Sequence, residues 1–252
     1  MSRQQLIETY SSQGDEYTRA FTVFLAHTDQ KDKANSWLKK EVSALARRDV
    51  FIDAGAGTGK LTAWLQPWFS TTIAIEPNPS LRAELQNTCS VTEILPVPII
   101  EARPSVLADF VLCSHVFYYI DPAVWTEHVR TLAAWLRPGG VLAVALQNHD
   151  TDCMRMLSLF TGETFDLREL AKAFTNDASG EFDVRIDLVE ANIRTDTFES
   201  AYIISEFMLN LLSLPYPPRR EALERYIAEH FRRGDAYRMS CDQDFLRIQR
   251  QA

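Results

Sequence analysis

Phe51-Ile-Asp-Ala-Gly-Ala-Gly-Thr-Gly-Lys60 is the stretch from which the rest of this sequence is read. Gly55, Gly57 and Gly59 stand at alternate positions. They follow the apolar run Asp49-Val-Phe-Ile-Asp53, which reads as a buried strand, and precede Lys60–Phe69, which reads as a helix. Glycine allows a tight turn with no Cβ in the way. A ligand can then press on the backbone at the carboxyl edge of a sheet, where open α/β sheets bind their ligands. A dinucleotide fingerprint, G-x-G-x-x-G, needs a third glycine where Lys60 stands. A phosphate-cradling G-x-x-x-x-G-K-[ST] loop fails at Ala54 and again at Leu61, which has no hydroxyl for Mg²⁺. The pattern matched in full is Asp-x-Gly-x-Gly-x-Gly, from Asp53 to Gly59.

Outward from this turn, short apolar runs alternate with amphipathic ones. Thr71–Ile75 reads as a second strand, closed by Glu76-Pro77. Val91–Ile100 reads as a third, interrupted by Pro96 and Pro98, and proline fits poorly inside a sheet. Phe110–Cys113 and Val141–Leu146 read as the fourth and fifth, the last entered through the turn Arg137-Pro-Gly-Gly140. Helices fit at Lys60–Phe69, Pro79–Asn87 and Pro122–Leu136, so the middle of the chain is a series of βαβ units around a parallel sheet. The N-terminal segment is helical in pattern: Tyr17, Phe21, Phe24 and Leu25 share one face, and a second helix is expected over Lys31–Arg47. Beyond the fifth strand, helices are expected at Thr151–Phe160, Leu167–Phe174, Ser200–Leu212 and Pro218–Phe231. Phe182–Val189 alternates like a strand, and Phe245–Ile248 reads as an antiparallel edge strand. The expected organisation is a helical cap segment over residues 1–48, a ligand-binding core over 49–150, and a remainder over 151–252 whose insert, about 196–235, covers the site.

Composition narrows the class. The chain has 252 residues, 46% of them hydrophobic and 24% charged, enough for a large packed core. Its net charge of −8, with no lysine/arginine block, argues against a nucleic-acid partner and against an anionic membrane surface. No apolar stretch approaches the ~20 residues that span a bilayer. The N-terminus carries no apolar core of a secretory signal. Cys89, Cys113, Cys153 and Cys241 form no C-x-x-C pair, as in reduced proteins. A cytoplasmic location is the expectation. No His/Cys/Asp cluster has metal-ligand spacing, so no metal is expected.

The glycine turn resembles motif I of class I S-adenosylmethionine-dependent methyltransferases. Two further features fit that family: Glu76, seventeen residues past Gly59 at the end of the second strand, and Leu136-Arg-Pro-Gly-Gly-Val-Leu142, similar to its L-x-P-G-G turn. The resemblance spans roughly 49–146. It implies a Rossmann-like, seven-stranded, mostly parallel sheet with helices on both faces and a helical cap. It also implies S-adenosyl-L-methionine as cofactor and S-adenosyl-L-homocysteine as product. The cofactor set it implies is Asp53, Gly55, Ala56, Gly57, Thr58, Gly59, Glu76, Pro77, Glu101, Ala102 and Ser114.

The stretch Ser114-His-Val-Phe-Tyr-Tyr-Ile120 lacks the Asn/Asp-Pro-Pro-Tyr sequence of adenine and glutamine N-methyltransferases. It looks instead like histamine N-methyltransferase, as does Tyr10-Ser-Ser-Gln-Gly-x-x-Tyr17-x-x-x-Phe21-x-x-Phe24-Leu25-x-His27, similar to that enzyme's substrate-covering segment. The sequence departs from that family at three points: Asp29 and Gln30 stand where it has a glutamate, aligning Tyr118-Tyr119 with its tyrosines takes a one-residue shift, and Cys241 or Asp242 stands where it has an asparagine. The resemblance implies a small-molecule methyl acceptor, His115 and Tyr119 as catalytic groups, and Tyr17, Phe21, His115, Tyr118 and Tyr119 around the substrate. The reaction expected is in-line transfer of a methyl group to an amine or heteroaromatic nitrogen, with positioning supplying most of the acceleration. For a hydroxyl acceptor, His115 is the candidate base. An O- or C-methyltransferase of secondary metabolism and a non-catalytic cofactor-binding protein stay open, as do substrate identity, acceptor atom and oligomeric state. Each aromatic also has a bland reading, since Tyr17 and Phe21 lie on a helix face that a protein core would use equally well.

Overall fold

A computed structural model describes residues 5–10, 14–177 and 180–251. In chain order the elements are α1 (Asp15–His27), α2 (Gln30–Ala44), β1 (Val50–Ala54), α3 (Lys60–Leu65), β2 (Thr71–Ile75), α4 (Pro79–Thr88), β3 (Glu93–Leu95), β4 (Ala108–Ser114), α5 (Trp125–Ala134) and β5 (Leu136–Gln147). Then come α6 (Asp152–Thr161), α7 (Leu167–Asp177), β6 (Phe182–Val189), β7 (Asn192–Thr195), α8 (Phe198–Leu209), α9 (Arg220–His230), β8 (Arg232–Arg233), β9 (Ala236–Ser240) and β10 (Gln243–Arg250).

The chain forms two compact units. One comprises Trp37–Leu146, Asp166–Asp187 and the segment from Asp244 onward; the other comprises the segment through Ser36, Gln147–Phe165 and Leu188–Gln243. The first carries a seven-stranded sheet of order β3-β2-β1-β4-β5-β10-β6. β1 pairs in parallel with β2 and β4, β2 with β3, and β4 with β5. This is the Rossmann-like arrangement. Every residue of β1 is buried, as a central parallel strand requires. Phe51, Phe69 and Phe110 stack with centroids 5.3–6.3 Å apart beneath it. Full burial of a phenylalanine such as Phe51 or Phe110 contributes roughly 2–3 kcal/mol. The chain order reverses between β1 and β4, so the crevice at their carboxyl ends is the switch point where such sheets bind ligands.

Several local expectations change. Pro96 and Pro98 restrict the third strand to Glu93–Leu95, and a 3-10 turn, Ile99–Glu101, follows. Pro122–Val124 is likewise a 3-10 turn, which delays α5 to Trp125. Arg137-Pro-Gly-Gly140 does not precede β5 but lies inside it. The register jumps from Ala108↔Leu136 to Phe110↔Val141, and a Cβ on Gly140 would lie 2.7 Å from the Ala108 carbonyl oxygen. Phe245–Ile248 belongs to an interior strand, β10, and β6 takes the edge. What makes Arg247 tolerable there is Glu41: Arg247 Nε donates to its Oε2 at 2.7 Å, and Arg185 Nη2 to its Oε1 at 2.9 Å.

The second unit carries a three-stranded antiparallel sheet, β7-β9-β8, absent from the sequence reading. Its helices include α1 and α8, where Phe24, Phe21 and Tyr17 pack on Phe207 with centroids 5.3–5.7 Å apart. Residues 5–7 lie along the start of α9: Arg220 N–H donates to the Gln5 carbonyl and Ile7 N–H to that of Pro218. Asp29 and Gln30 are tied locally. Asp29 Oδ1 accepts from Asn192 N–H at 2.7 Å, and Gln30 Nε2 donates to the Cys241 carbonyl at 2.7 Å. Of the N-terminal resemblance, Ser11, Ser12 and Gln13 lie outside the described residues.

Candidate active site

The turn after β1 is built by three left-handed glycines, Gly55 (φ 85°), Gly57 (φ 56°) and Gly59 (φ 79°). L-residues with a Cβ rarely adopt this conformation. The three differ in what surrounds them. A Cβ on Gly55 would lie 2.3 Å from Val116 Cγ2, and one on Gly59 would press on Leu85 and on Cys89 Sγ at 3.1–3.2 Å. A Cβ on Gly57 meets nothing within 4 Å. Gly55 and Gly59 are therefore glycines partly because the protein packs against them. Gly57 faces open space, a cradle that a side chain would fill.

Glu76 clamps this cradle. It is buried at the end of β2, its Oε2 accepts from Gly57 N–H at 2.8 Å, and its Oε1 accepts from Asn78 N–H at 2.8 Å. A carboxylate has about four lone-pair sites, so each oxygen retains capacity for a ribose hydroxyl. Asn78 in turn caps α4, its Oδ1 accepting from Ser80 and Leu81 N–H. Pro77 is the exposed residue between them.

Asp53 lies beneath the turn at 3% exposure. Thr62 Oγ1 donates to its Oδ2 at 2.6 Å. Burial, with a smaller push from the Glu76 charge, raises its carboxyl to about 6. Sequence reasoning missed Thr62 and Val116. Nothing in the periodicity marks either, because each matters through a contact made only in the folded chain. Ala56 and Thr58 complete the turn at intermediate burial, while Glu101 ends exposed on its 3-10 turn and Ala102 is fully buried.

At the end of β4, Ser114 is half-buried and His115 takes a left-handed φ of 57°. Histidine is among the non-glycine residues that tolerate this, at a strain of roughly 1 kcal/mol or more. His115 N–H donates to the Ala145 carbonyl at 2.8 Å, and its ring stacks on Tyr118 at 5.8 Å. Burial drives its imidazole down to about 4, so it is neutral at any ordinary working pH. Phe117–Tyr119 is a 3-10 turn; Tyr118 is buried and Tyr119 is 64% exposed. The sheet unit thus brings together Asp53, the glycine turn, Glu76 and, through Val116, the segment carrying His115. Tyr17 and Phe21 belong to the other unit. Among the described residues, no group of three histidine, cysteine or acidic side chains stands ready to hold a metal, and no helix is long and apolar enough to cross a membrane.

A doubly wound sheet, a glycine cradle at its switch point and a buried acid clamping that cradle define a protein of the Rossmann-like methyltransferase fold. The chain belongs to the methyltransferase-domain family, whose description matches residues 19–180. It is 32% identical over 123 residues to uncharacterized methyltransferases of Mycobacterium tuberculosis (strain H37Rv) and Mycobacterium bovis, covering 47% of this chain. The chain spans about half the length of these relatives, 46%. Among solved structures it is similar to a putative methyltransferase of Bacillus halodurans C-125 (TM-score 0.59, 13% identity, 88% of this chain and 100% of that one). It is also similar to the N-methyltransferase NodS of Bradyrhizobium japonicum WM9 in complex with S-adenosyl-L-homocysteine (TM-score 0.55, 14% identity, 95% and 100%). At these identities the likeness is one of fold.

Proposed function

We propose that the protein is an S-adenosyl-L-methionine-dependent methyltransferase acting on a nitrogen of a small molecule, of the kind the resemblance to histamine N-methyltransferase implies. The observation that carries the cofactor assignment is the open face of Gly57 beside Glu76 and above Asp53. The residues fit the group. Glu76 retains lone pairs for a ribose diol, and backbone N–H groups ahead of α3 suit a carboxylate. Asp53, ionised above pH ~6, suits a cationic amino group. When bound, S-adenosyl-L-methionine supplies a methyl group on a cationic sulfur, leaving S-adenosyl-L-homocysteine.

The state of His115 favours nitrogen over oxygen as acceptor. A hydroxyl needs a base near its working pH, and an imidazole held down at about 4 is a weak one. A neutral amine carries its own lone pair and needs only positioning and exclusion of water. His115, fixed by its backbone bond and by stacking on Tyr118, is then a shape-determining wall rather than a proton acceptor. Tyr118 and Tyr119 are the aromatic groups of the sheet unit proposed to face the acceptor, where π-faces favour developing positive charge. The test is methyl transfer from labelled cofactor to matched panels of small amines and phenols. Turnover of amines with a flat pH profile of kcat/KM for the amine between 7 and 8, with cofactor saturating so that the ionisation of Asp53 does not enter and amine protonation corrected for, supports the reading. Turnover of phenols alone, lost on His115→Ala, overturns it in favour of O-methylation.

A further inference from the structure

The second unit keeps a polar group where an apolar one would serve better. The Tyr10 hydroxyl oxygen is buried and has no hydrogen-bond partner among the described residues. An unpaired buried hydroxyl costs roughly 1–3 kcal/mol, and native structures hold few of them. Phenylalanine would fill the same volume without that cost. Nor is Tyr10 loosely placed. Its N–H donates to Asn210 Oδ1 at 3.1 Å, Asn210 Nδ2 donates to the Glu8 carbonyl at 3.0 Å, and its ring meets Tyr17 edge-on at 6.5 Å.

The charged and phenolic groups that act electrostatically on the hydroxyl are Glu206, Tyr17, Glu8 and Tyr202. Tyr202 O–H (2.8 Å) and Glu8 N–H (3.0 Å) both donate to Glu206 Oε1. The other Glu206 oxygen is uncommitted among the described residues. Arg220, over the Tyr202 ring at 4.6 Å, is already engaged by Glu224 at 2.8 Å. Tyr17 continues into the ring cluster of Phe21, Phe24 and Phe207. The setting is aromatic and electron-rich, with two carboxylates and several phenols. It repels an anion and offers acceptors to an N–H donor. Burial, with Glu206 nearby, holds the Tyr10 hydroxyl above the ordinary phenol range, and burial raises Glu206 as well, outweighing the opposite pull of Arg220.

We propose that the Tyr10 hydroxyl and Glu206 form the polar end of a binding site for an amine-bearing aromatic compound whose ring lies against Tyr17, Phe21 and Phe207. That this compound is the methyl acceptor rests on the function proposed above; the site itself does not. The experiment uses the whole protein and two probes of like shape, 2-phenylethylamine and 2-phenylethanol, titrated calorimetrically into wild type and Tyr10→Phe, with the Tm of each. Wild type is expected to prefer the amine by roughly tenfold, a charge-assisted hydrogen bond's worth. Tyr10→Phe is expected to abolish the preference without lowering Tm. Glu206→Gln is expected to narrow it in the same direction. Equal binding of the two probes by wild type overturns the proposal. So does a Tyr10→Phe variant that melts several degrees lower while keeping the preference, which would make the hydroxyl structural. The same amine in the methyl-transfer assay separates the two readings. Tyr10-dependent binding without methylation removes the function and leaves the site, and methylation indifferent to Tyr10→Phe does the reverse.

Discussion

Asp53→Asn is expected to make the protein more stable at pH 8 and a poorer binder of S-adenosyl-L-methionine. Asp53 is 3% exposed and its carboxyl is lifted from 3.8 to about 6. Between those values the native state holds a proton that the unfolded chain releases. Stability therefore falls as pH rises from about 4 through 6 and stays low above. Two pKa units correspond to about 3 kcal/mol at pH 8. Asparagine keeps the shape and keeps an acceptor for Thr62 Oγ1, now at 2.6 Å, while removing the charge. For a chain of this size, about 3 kcal/mol raises Tm by roughly 6–12 °C. The gain should shrink through pH 6 and vanish near pH 4, where wild-type Asp53 is itself neutral. Affinity for the cofactor should drop roughly tenfold or more, the value of a hydrogen bond to a charged group. Scanning calorimetry at pH 4, 6 and 8, with titration of the cofactor at pH 8, reads both effects. A lower Tm at pH 8, or unchanged affinity, would refute the reasoning that Asp53 is a strained buried charge kept for the ligand.

Thr62→Val removes the bond that holds the Asp53 charge, so cofactor affinity, plotted against pH, should rise at a higher pH than in wild type, with a stability loss of about 1–2 kcal/mol. Gly57→Ala should cost about 1 kcal/mol for its φ of 56° and weaken the cofactor strongly by filling the open cradle; Gly55→Ala, meeting Val116 at 2.3 Å, should cost more stability, as urea denaturation would show. Glu41→Gln leaves Arg247, only 10% exposed, with Asp183 Oδ2 at 3.5 Å as its remaining carboxylate, and should destabilise by about 2 kcal/mol in the same assay, the value of a hydrogen bond to a charged group; a loss under ~0.5 kcal/mol would mean Asp183 or solvent replaces Glu41.

The βαβ core was legible because its signals are local. A buried apolar run, three spaced glycines and an acid closing the next strand can each be read within a few residues, and the same locality explains why Asp53 and Glu76 stand out in the sequence. Thr62 and Val116 were not legible, since Val116 reaches Gly55 across sixty-one positions and only the β1–β4 pairing brings them together. The same limit governs β10. Its apolar run looks like an edge strand until Glu41 supplies the carboxylate that lets Arg247 sit inside the sheet. The strands β7, β8 and β9 are two to five residues long and bury only part of one face, too short for alternation to register. Arg137-Pro-Gly-Gly140 reads as a turn ahead of the fifth strand; its absorption into β5 as a register jump depends on Ala108, which the local sequence does not show.

Calorimetric titration of the purified protein with S-adenosyl-L-methionine, S-adenosyl-L-homocysteine and NAD tests the central claim most directly. The glycine cradle and its Glu76 clamp predict micromolar binding of the first two and no binding of NAD. Binding of NAD alone would contradict the methyltransferase reading and leave only the fold.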